Sequence, residues 1–429
     1  MKISIIGGGG ARTPLLVRGL AESGLPLAEV SLFDIDPERL ALMGRVAREM
    51  SDRCSVKLCS TSAECIEGAD FIFTSIRVGG IDQRARDEEI VLRHGLIGQE
   101  TVGPGGYAMA MRTIPPMLEY AEQIVELAPA AWVINFTNPV GVITQAVQTA
   151  TGVKMIGICD TPTELFGEVA AELDLSPDEC YFDYFGLNHL GWLREVYHLG
   201  TPVLGQLWED PARLRALYRV PLFETEFLIK LRLLPSEYLY YYYRPEVAAE
   251  NIRRAGTSRG GVVADLNARL LSDLREPGAQ LVDTYEVYLE KRDTSYMQIE
   301  SGAQLNPKRE GGGELTGYDR IALAVVSAIQ ANSGAIIPLN VPNKGNFGFL
   351  EDEDVVEVPC VVNSNGAIPL SVGEVPDSAR DLMIQVKKYE RLTVDAAMAG
   401  TPDLALVALA SNPLVPNSEI ATTLLTELG

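Results

Sequence analysis

The stretch Lys2-Ile3-Ser4-Ile5-Ile6-Gly7-Gly8-Gly9-Gly10-Ala11-Arg12 runs from an apolar segment straight into four glycines. Lys2–Ile6 reads as a strand, the glycines as a turn, and the residues through about Ser23 as a helix. Glycines placed between strand and helix let backbone N–H groups approach a pyrophosphate, with the positive end of the helix dipole behind them. Gly7, Gly8, Gly9, Gly10, Ala11 and Arg12 are therefore the first candidate cofactor-binding residues. Arg12 stands where the dinucleotide fingerprint has its third small residue, so the turn alone leaves an ordinary strand–helix connection open. The next strand, residues 30–33, ends in Phe33-Asp34-Ile35-Asp36. Asp34 lies where a carboxylate accepts the ribose hydroxyls, which favours NAD over NADP. Capping of the following helix by Asp34 or Asp36 is the alternative.

Working outward, residues 34–50 read as a helix, with Leu40, Leu42, Met43, Val46 and Ala47 at helical spacing. Residues 71–76, 132–136 and 154–158 are short apolar runs, as expected of parallel strands covered on both faces. Strands alternating with helices imply an α/β fold, a Rossmann-like doubly wound parallel sheet. Residues 162–173 read as a helix. From about Gly191 onward the pattern suggests longer helices, the aromatic cluster 238–243 and a glycine run, Gly311-Gly312-Gly313. A strand over 355–362 and a long helix over 378–398 follow. The expected organisation is a nucleotide-binding domain over 1–190 and an α+β domain over 191–429.

Charge narrows the function classes. The 429 residues carry 36 basic and 58 acidic side chains, a net of -22. Such a field repels nucleic acid and anionic membranes, so a small anionic substrate needs a local basic pocket. No signal-peptide pattern and no run of about 18 apolar residues is present. Cys54, Cys59, Cys65, Cys159, Cys180 and Cys360 are too sparse for a disulfide framework. A cytoplasmic protein with reduced thiols is expected.

Four further stretches carry chemistry. Gly98-Gln99-Glu100-Thr101-Val102-Gly103-Pro104-Gly105-Gly106 fixes an unusual backbone path with polar side chains between its glycines. Upstream, Arg77, Arg84 and Arg86 offer guanidinium groups for an anion. Asn135-Phe136-Thr137-Asn138-Pro139-Val140-Gly141 displays Asn138 at the sheet's carboxyl edge, although an Asn in a turn is often structural. Cys159, with Asp160 after it, tips another strand. His189, one of three histidines, follows about thirty residues on. A thiol and an imidazole are too few for a structural zinc site, but suit a divalent ion that completes its shell with substrate oxygens. Lastly, Tyr238 in the tyrosine cluster becomes a general base if positive charge lowers its pKa. Aromatic packing is the ordinary reading of its neighbours.

Taken in order, the glycine turn with Asp34, Arg77-Val78-Gly79, Gly98-Gln99-Glu100-Thr101, Asn135-Phe136-Thr137-Asn138-Pro139, Cys159, Gly186-Leu187-Asn188-His189 and Tyr238 resemble family-4 glycoside hydrolases. The likeness continues through Lys388-Tyr389-Glu390-Arg391 and Asn412-Pro413-Leu414, and looks closest to the 6-phospho-β-glucosidases. It implies a lactate/malate dehydrogenase-like sheet domain and cleavage by oxidation and elimination rather than by a carboxylate pair. NAD would take a hydride from sugar C3, a Mn²⁺ ion would help acidify the C2 proton, the C1 oxygen would leave, and the hydride would return. Carried over by motif, Cys159 and His189 are implied metal ligands, Tyr238 the C2 base and Glu100 a neighbour that tunes it. Arg84, Asn138 and Arg259 are implied to hold substrate, and Arg77 to hold cofactor. Asp160 departs from the β branch, which carries Asn there; Asp is typical of 6-phospho-α-glucosidases, where it resembles the leaving-group acid. The expectation is a β-specific enzyme, with α specificity and a hydroxyacid dehydrogenase as alternatives. The family also implies a homodimer or homotetramer.

Overall fold

The computed structural model describes residues 1–51, 53–304 and 317–429; the glycine run Gly311-Gly312-Gly313 lies outside them. Six parallel strands form its first half: β1 (Lys2–Ile6), β2 (Glu29–Phe33), β3 (Val56–Leu58), β4 (Phe71–Thr74), β5 (Trp132–Asn135) and β6 (Lys154–Gly157). They stand in the order 3-2-1-4-5-6. Alternate residues of one strand enter different cores. Phe73 and Ile134 join one apolar cluster, while Ile72 and Val133 join another on the opposite face. Two buried faces explain why these strands read as unbroken apolar runs. The order reverses between β1 and β4, where ligands bind beyond the carboxyl ends in sheets of this kind. The glycine turn and the Arg77 loop leave the sheet at that place.

Antiparallel strands extend the same sheet. β7 (Cys180–Leu187) and β8 (Leu190–His198) form a hairpin, and β9 (Thr201–Pro202) and β10 (Leu234–Pro235) pair with β8. β11 (Ala335–Pro342), β12 (Val355–Asn363) and β13 (Gly366–Pro369) bring the sheet to thirteen strands among the described residues, with β11 against β6 and β12 against β7. The helical reading from Gly191 is corrected here, because 190–198 is a strand. Its charged Arg194 is matched by Asp183 on the partner strand, with Nε 2.7 Å from Oδ2. Residue 190, the expected domain boundary, opens β8, whose hairpin belongs to the sheet shared by both halves.

Helix starts also shift. The helix expected over 34–50 begins at Pro37, because Asp36 caps it by accepting the N–H groups of Glu38 and Arg39. The helices Thr161–Glu172 and Asp377–Ala399 lie where the sequence pattern places them.

The seam between the parallel and antiparallel halves is a row of four residues, Gly157–Asn340–Glu357–Gly186. A Cβ on Gly157 would lie 2.6 Å from Thr144 Oγ1 and 2.7 Å from Val140 Cγ1. Gly157→Ala is expected to destabilise the fold by roughly 1–3 kcal/mol, seen as a lower urea midpoint at unchanged slope. Gly152→Ala, where nothing lies within 4 Å of the added carbon, should leave the midpoint in place.

Candidate functional site

The glycine turn is closely built. The Gly7 and Gly8 N–H groups both donate to Phe33 O, at 2.9 and 2.8 Å. Gly7 has φ +93°, and a Cβ there would fall 2.2 Å from Ser75 O, so only glycine fits. Asp34 bridges the turn: Oδ2 accepts the Gly9 N–H at 2.9 Å and Oδ1 the Asp36 N–H at 3.0 Å. Of the two acids considered as helix caps, Asp36 is the cap. Gly10 N–H donates back to Gly7 O, and Ala11 O accepts the Tyr285 hydroxyl. Arg12 is the N-cap of the helix Thr13–Glu22, with Nη1 3.6 Å from Asp160 Oδ2.

Beside the turn lies a charged cluster. Glu100 Oε2 is 2.5 Å from Arg77 Nη1 and 2.9 Å from Arg84 Nη1. Burial pushes the Glu100 carboxyl up, but Arg77 and Arg84 outweigh it and hold it near about 2. Arg84 Nε also pairs with Glu88 at 2.8 Å, and the other Glu88 oxygen accepts the Gly260 N–H. Arg86 faces outward and is exposed. Arg259 is the first residue of the next helix; its guanidinium contacts Ser295 Oγ at 2.5 Å and Arg292 O at 2.8 Å. Asn138 keeps a buried Oδ1 with no hydrogen-bond partner, as expected of a group that awaits a ligand.

Cys159 follows β6 and is buried; His189 sits in the turn between β7 and β8 at φ +60°. The Tyr238 ring lies flat on His189, with centroids 3.7 Å apart and planes within 3°. Its phenol lies within the field of the Glu100 carboxylate. Tyr238 thus links the imidazole to the Arg84–Glu100 cluster.

Electrostatics define what these groups do unaided. Burial, then Glu357 and Asp160, pushes the Cys159 thiol well above its ordinary range. Burial holds the His189 imidazole down to about 4 against the pull of Glu100. Burial, then Glu237 and Glu100, pushes the Tyr238 phenol well up. Glu100 therefore acts on Tyr238 in the direction opposite to activation. Asp160 is raised by burial, with Arg12 opposing. A neutral imidazole and a buried thiol that ionises only against a cation suit a divalent ion. Among the described residues no group of three or more His, Cys, Asp or Glu is placed to hold a metal.

Several participants carried little sequence signal. Thr101 Oγ1 meets His189 Nδ1 at 2.8 Å and is itself held by Gln99 Oε1 at 2.9 Å. The Tyr296 hydroxyl donates to Glu237 and also meets Tyr238. Glu357, the single acid in the buried strand Val355–Asn363, accepts from Tyr184 Oη, Asn188 Nδ2 and Asn340 Nδ2 at 2.9, 3.3 and 2.8 Å. A lone Glu inside an apolar strand was the available clue; Tyr296 offered none. Most of the tyrosine cluster is packing, as Tyr243 Oη accepting Trp192 Nε1 shows.

Burial raises the Glu237 carboxyl to about 8, with Tyr296 opposing and Glu168 and Asp160 adding to the rise. The folded state therefore binds the extra proton between the ordinary 4.5 and about 8, and stability from this group is lost as pH rises through that window. Glu237→Gln removes the penalty. Its melting temperature is expected to gain on the parent as pH climbs across the window, and paired thermal melts check this.

Comparison with known proteins gives a consistent result. The chain matches the family 4 glycosyl hydrolase model over residues 2–175 and that family's C-terminal domain over residues 184–415. A probable 6-phospho-beta-glucosidase of Bacillus subtilis is 34% identical over 445 residues, 100% of this chain and 95% of that one. A phospho-alpha-glucosidase of Clostridium acetobutylicum is 30% identical over 452 residues, 99% and 96% of the two chains. The structure of the 6-phospho-beta glucosidase from Thermotoga maritima with manganese, NAD+ and glucose-6-phosphate superposes with a TM-score of 0.84 at 30% identity, covering 100% and 97%. A lactate dehydrogenase from a deep-sea metagenome library and the malate dehydrogenase of Aeropyrum pernix, 14% and 16% identical, share the fold at TM-scores of 0.55 and 0.53. Matched from one half to the other, the chain belongs to the family 4 glycosyl hydrolases.

Proposed function

We propose that the chain hydrolyses 6-phospho-β-glucosides with NAD and a divalent ion, Mn²⁺ in the first instance. The observation that carries this is Tyr238, stacked flat on the His189 imidazole with centroids 3.7 Å apart. A phenol lying against an imidazole suited to hold an ion is what the proposed chemistry requires. The relatives above act on, or were solved with, the corresponding sugars and cofactors. Gly7, Gly8, Gly9, Gly10, Ala11 and Arg12 would hold the nucleotide with Asp34 and Arg77, and Cys159 and His189 the ion. When bound, these groups supply a reversible hydride acceptor and a Lewis acid.

The chain's own residues do the rest. Arg84, Asn138 and Arg259 bind and orient the phosphorylated sugar, the orphaned Asn138 oxygen accepting from one of its hydroxyls. Tyr238 Oη removes the C2 proton. The chain alone holds that phenol protonated, so the base becomes available only when positive charge enters beside it. Asp160, whose buried carboxyl is biased toward its protonated form, gives a proton to the departing oxygen. An amide cannot do that, and this favours a second reading, a 6-phospho-α-glucosidase; one relative is named a phospho-alpha-glucosidase. We place the enzyme in the cytoplasm as a homodimer or homotetramer, with residues 1–190 forming the nucleotide-binding part.

Turnover of a chromogenic 6-phosphoglucoside should require NAD⁺ and Mn²⁺ together; full activity after removal of both would defeat the proposal. Tyr238→Phe should lower kcat by about 10²–10⁴-fold while nucleotide affinity, read by fluorescence titration, is retained. Assays on α- and β-linked substrates separate the two readings. Asp160→Asn should keep β-cleavage; cleavage of the α-linked substrate alone, lost in that variant, selects the second.

A further inference from the structure

We propose that Gln99 and Thr101 are positioning residues that fix the tautomer of His189, turning the lone pair of Nε2 to the divalent ion. This rests on His189 being a ligand. The side-chain oxygen of Gln99 accepts the Thr101 N–H at 2.6 Å and the Val102 N–H at 2.7 Å. Both donors are obligatory, so the atom facing them is the oxygen, which removes the usual ambiguity of an amide. Thr101 Oγ1 lies 2.9 Å from the same oxygen. An amide oxygen only accepts, so the hydroxyl proton lies on that line. A hydroxyl has a single proton. Toward His189 Nδ1, 2.8 Å away, Thr101 Oγ1 is left as acceptor, and Nδ1 must carry the ring proton. In a neutral ring Nε2 then has none. The reverse arrangement would set the Gln99 and Thr101 oxygens against each other with no proton between them, an unmade bond in a half-buried loop.

The glycines of this loop serve the same end. A Cβ on Gly105 would fall 2.2 Å from Gln99 O, and one on Gly106 2.4 Å from Thr101 O. The helix Gly103–Leu127 therefore begins flat against the backbone of Gln99 and Thr101 and holds both in place. Tyr238, stacked on the ring, restrains its rotation. The chain Gln99–Thr101–His189 is an orienting arrangement of the kind that metal-bound imidazoles use.

The chain has three histidines, so ¹⁵N-histidine spectra of the metal-free protein resolve the tautomer, with His189→Gln providing the assignment. The parent and Thr101→Ser should show His189 protonated at Nδ1. Thr101→Val should populate the Nε2–H form, and its Mn²⁺ affinity, read by electron paramagnetic resonance, should fall about 10–100-fold. Thr101→Ser should restore that affinity. If valine disturbs the fold, as seen by thermal melting, Thr101→Ala replaces it. Unchanged tautomer and affinity without the hydroxyl, or a changed tautomer with unchanged affinity, overturns the inference. Failure of the ligand assignment looks different: His189→Gln would then bind Mn²⁺ as tightly as the parent.

Discussion

A carboxyl group buried between the two halves of the sheet organises the rest. Glu357 is 1% exposed, and its three donors come from the strands on both sides of it: Asn340 on β11, and Tyr184 on β7 with Asn188 in the β7–β8 turn that carries His189. A buried carboxyl without partners is costly, so these groups hold one another in register. The flanking glycines make room for them, since Gly157 has no space for a Cβ and Gly186 has φ +155°. Cys159 lies two residues beyond Gly157 and His189 three beyond Gly186. One buried polar row, tied together at the Glu357 carboxyl, thereby sets the bases of both loops from which the thiol and the imidazole extend.

That row explains what could be read from the sequence and what could not. The parallel strands announced themselves because each is short, apolar and buried on both faces, and the glycine turn and Asp34 lay close enough to interpret together. β8 did not, because Arg194 and Glu195 break its alternation. Their charges are absorbed by the Asp183 contact and by the Val196 and Leu204 N–H groups that Glu195 accepts, and the Asp183 and Leu204 partners lie outside β8. β11 escaped for a similar reason: Asn340 interrupts an apolar run and makes sense only against Glu357. Site residues in motifs were legible one by one. Their partners, Gln99, Thr101, Glu237 and Tyr296, draw their meaning from contacts across tens of residues.

The site also divides labour in a way that the motifs alone conceal. Glu100 was expected to tune Tyr238, but its charge makes ionisation of that phenol harder. Its geometry suggests another task. Arg77 and Arg84 bring two like charges to within hydrogen-bonding distance of one carboxylate oxygen, and their mutual repulsion at that range is substantial in a buried setting. Glu100 is the counter-ion that lets them stand side by side. The chain's own acids thus keep the phenol protonated, and charge that ionises it has to come from outside them.

The same reasoning resolves the conflict between a net charge of -22 and an anionic substrate. Long-range field is screened within about a Debye length, whereas the groups lining a cleft act at contact distance in a weakly screened medium. Arg12, Arg77 and Arg84 meet acids at the site, and Arg259 and Arg292 are held by the neutral oxygens of Ser295, Arg292 and Tyr288. Guanidinium groups held by neutral oxygens keep their full charge for an incoming anion. Those held by Glu100 or Asp160 offer less, and serve better to fix geometry. Arg259 and Arg292 are therefore better matched to an incoming anion than Arg77 and Arg84, whose charge Glu100 already offsets.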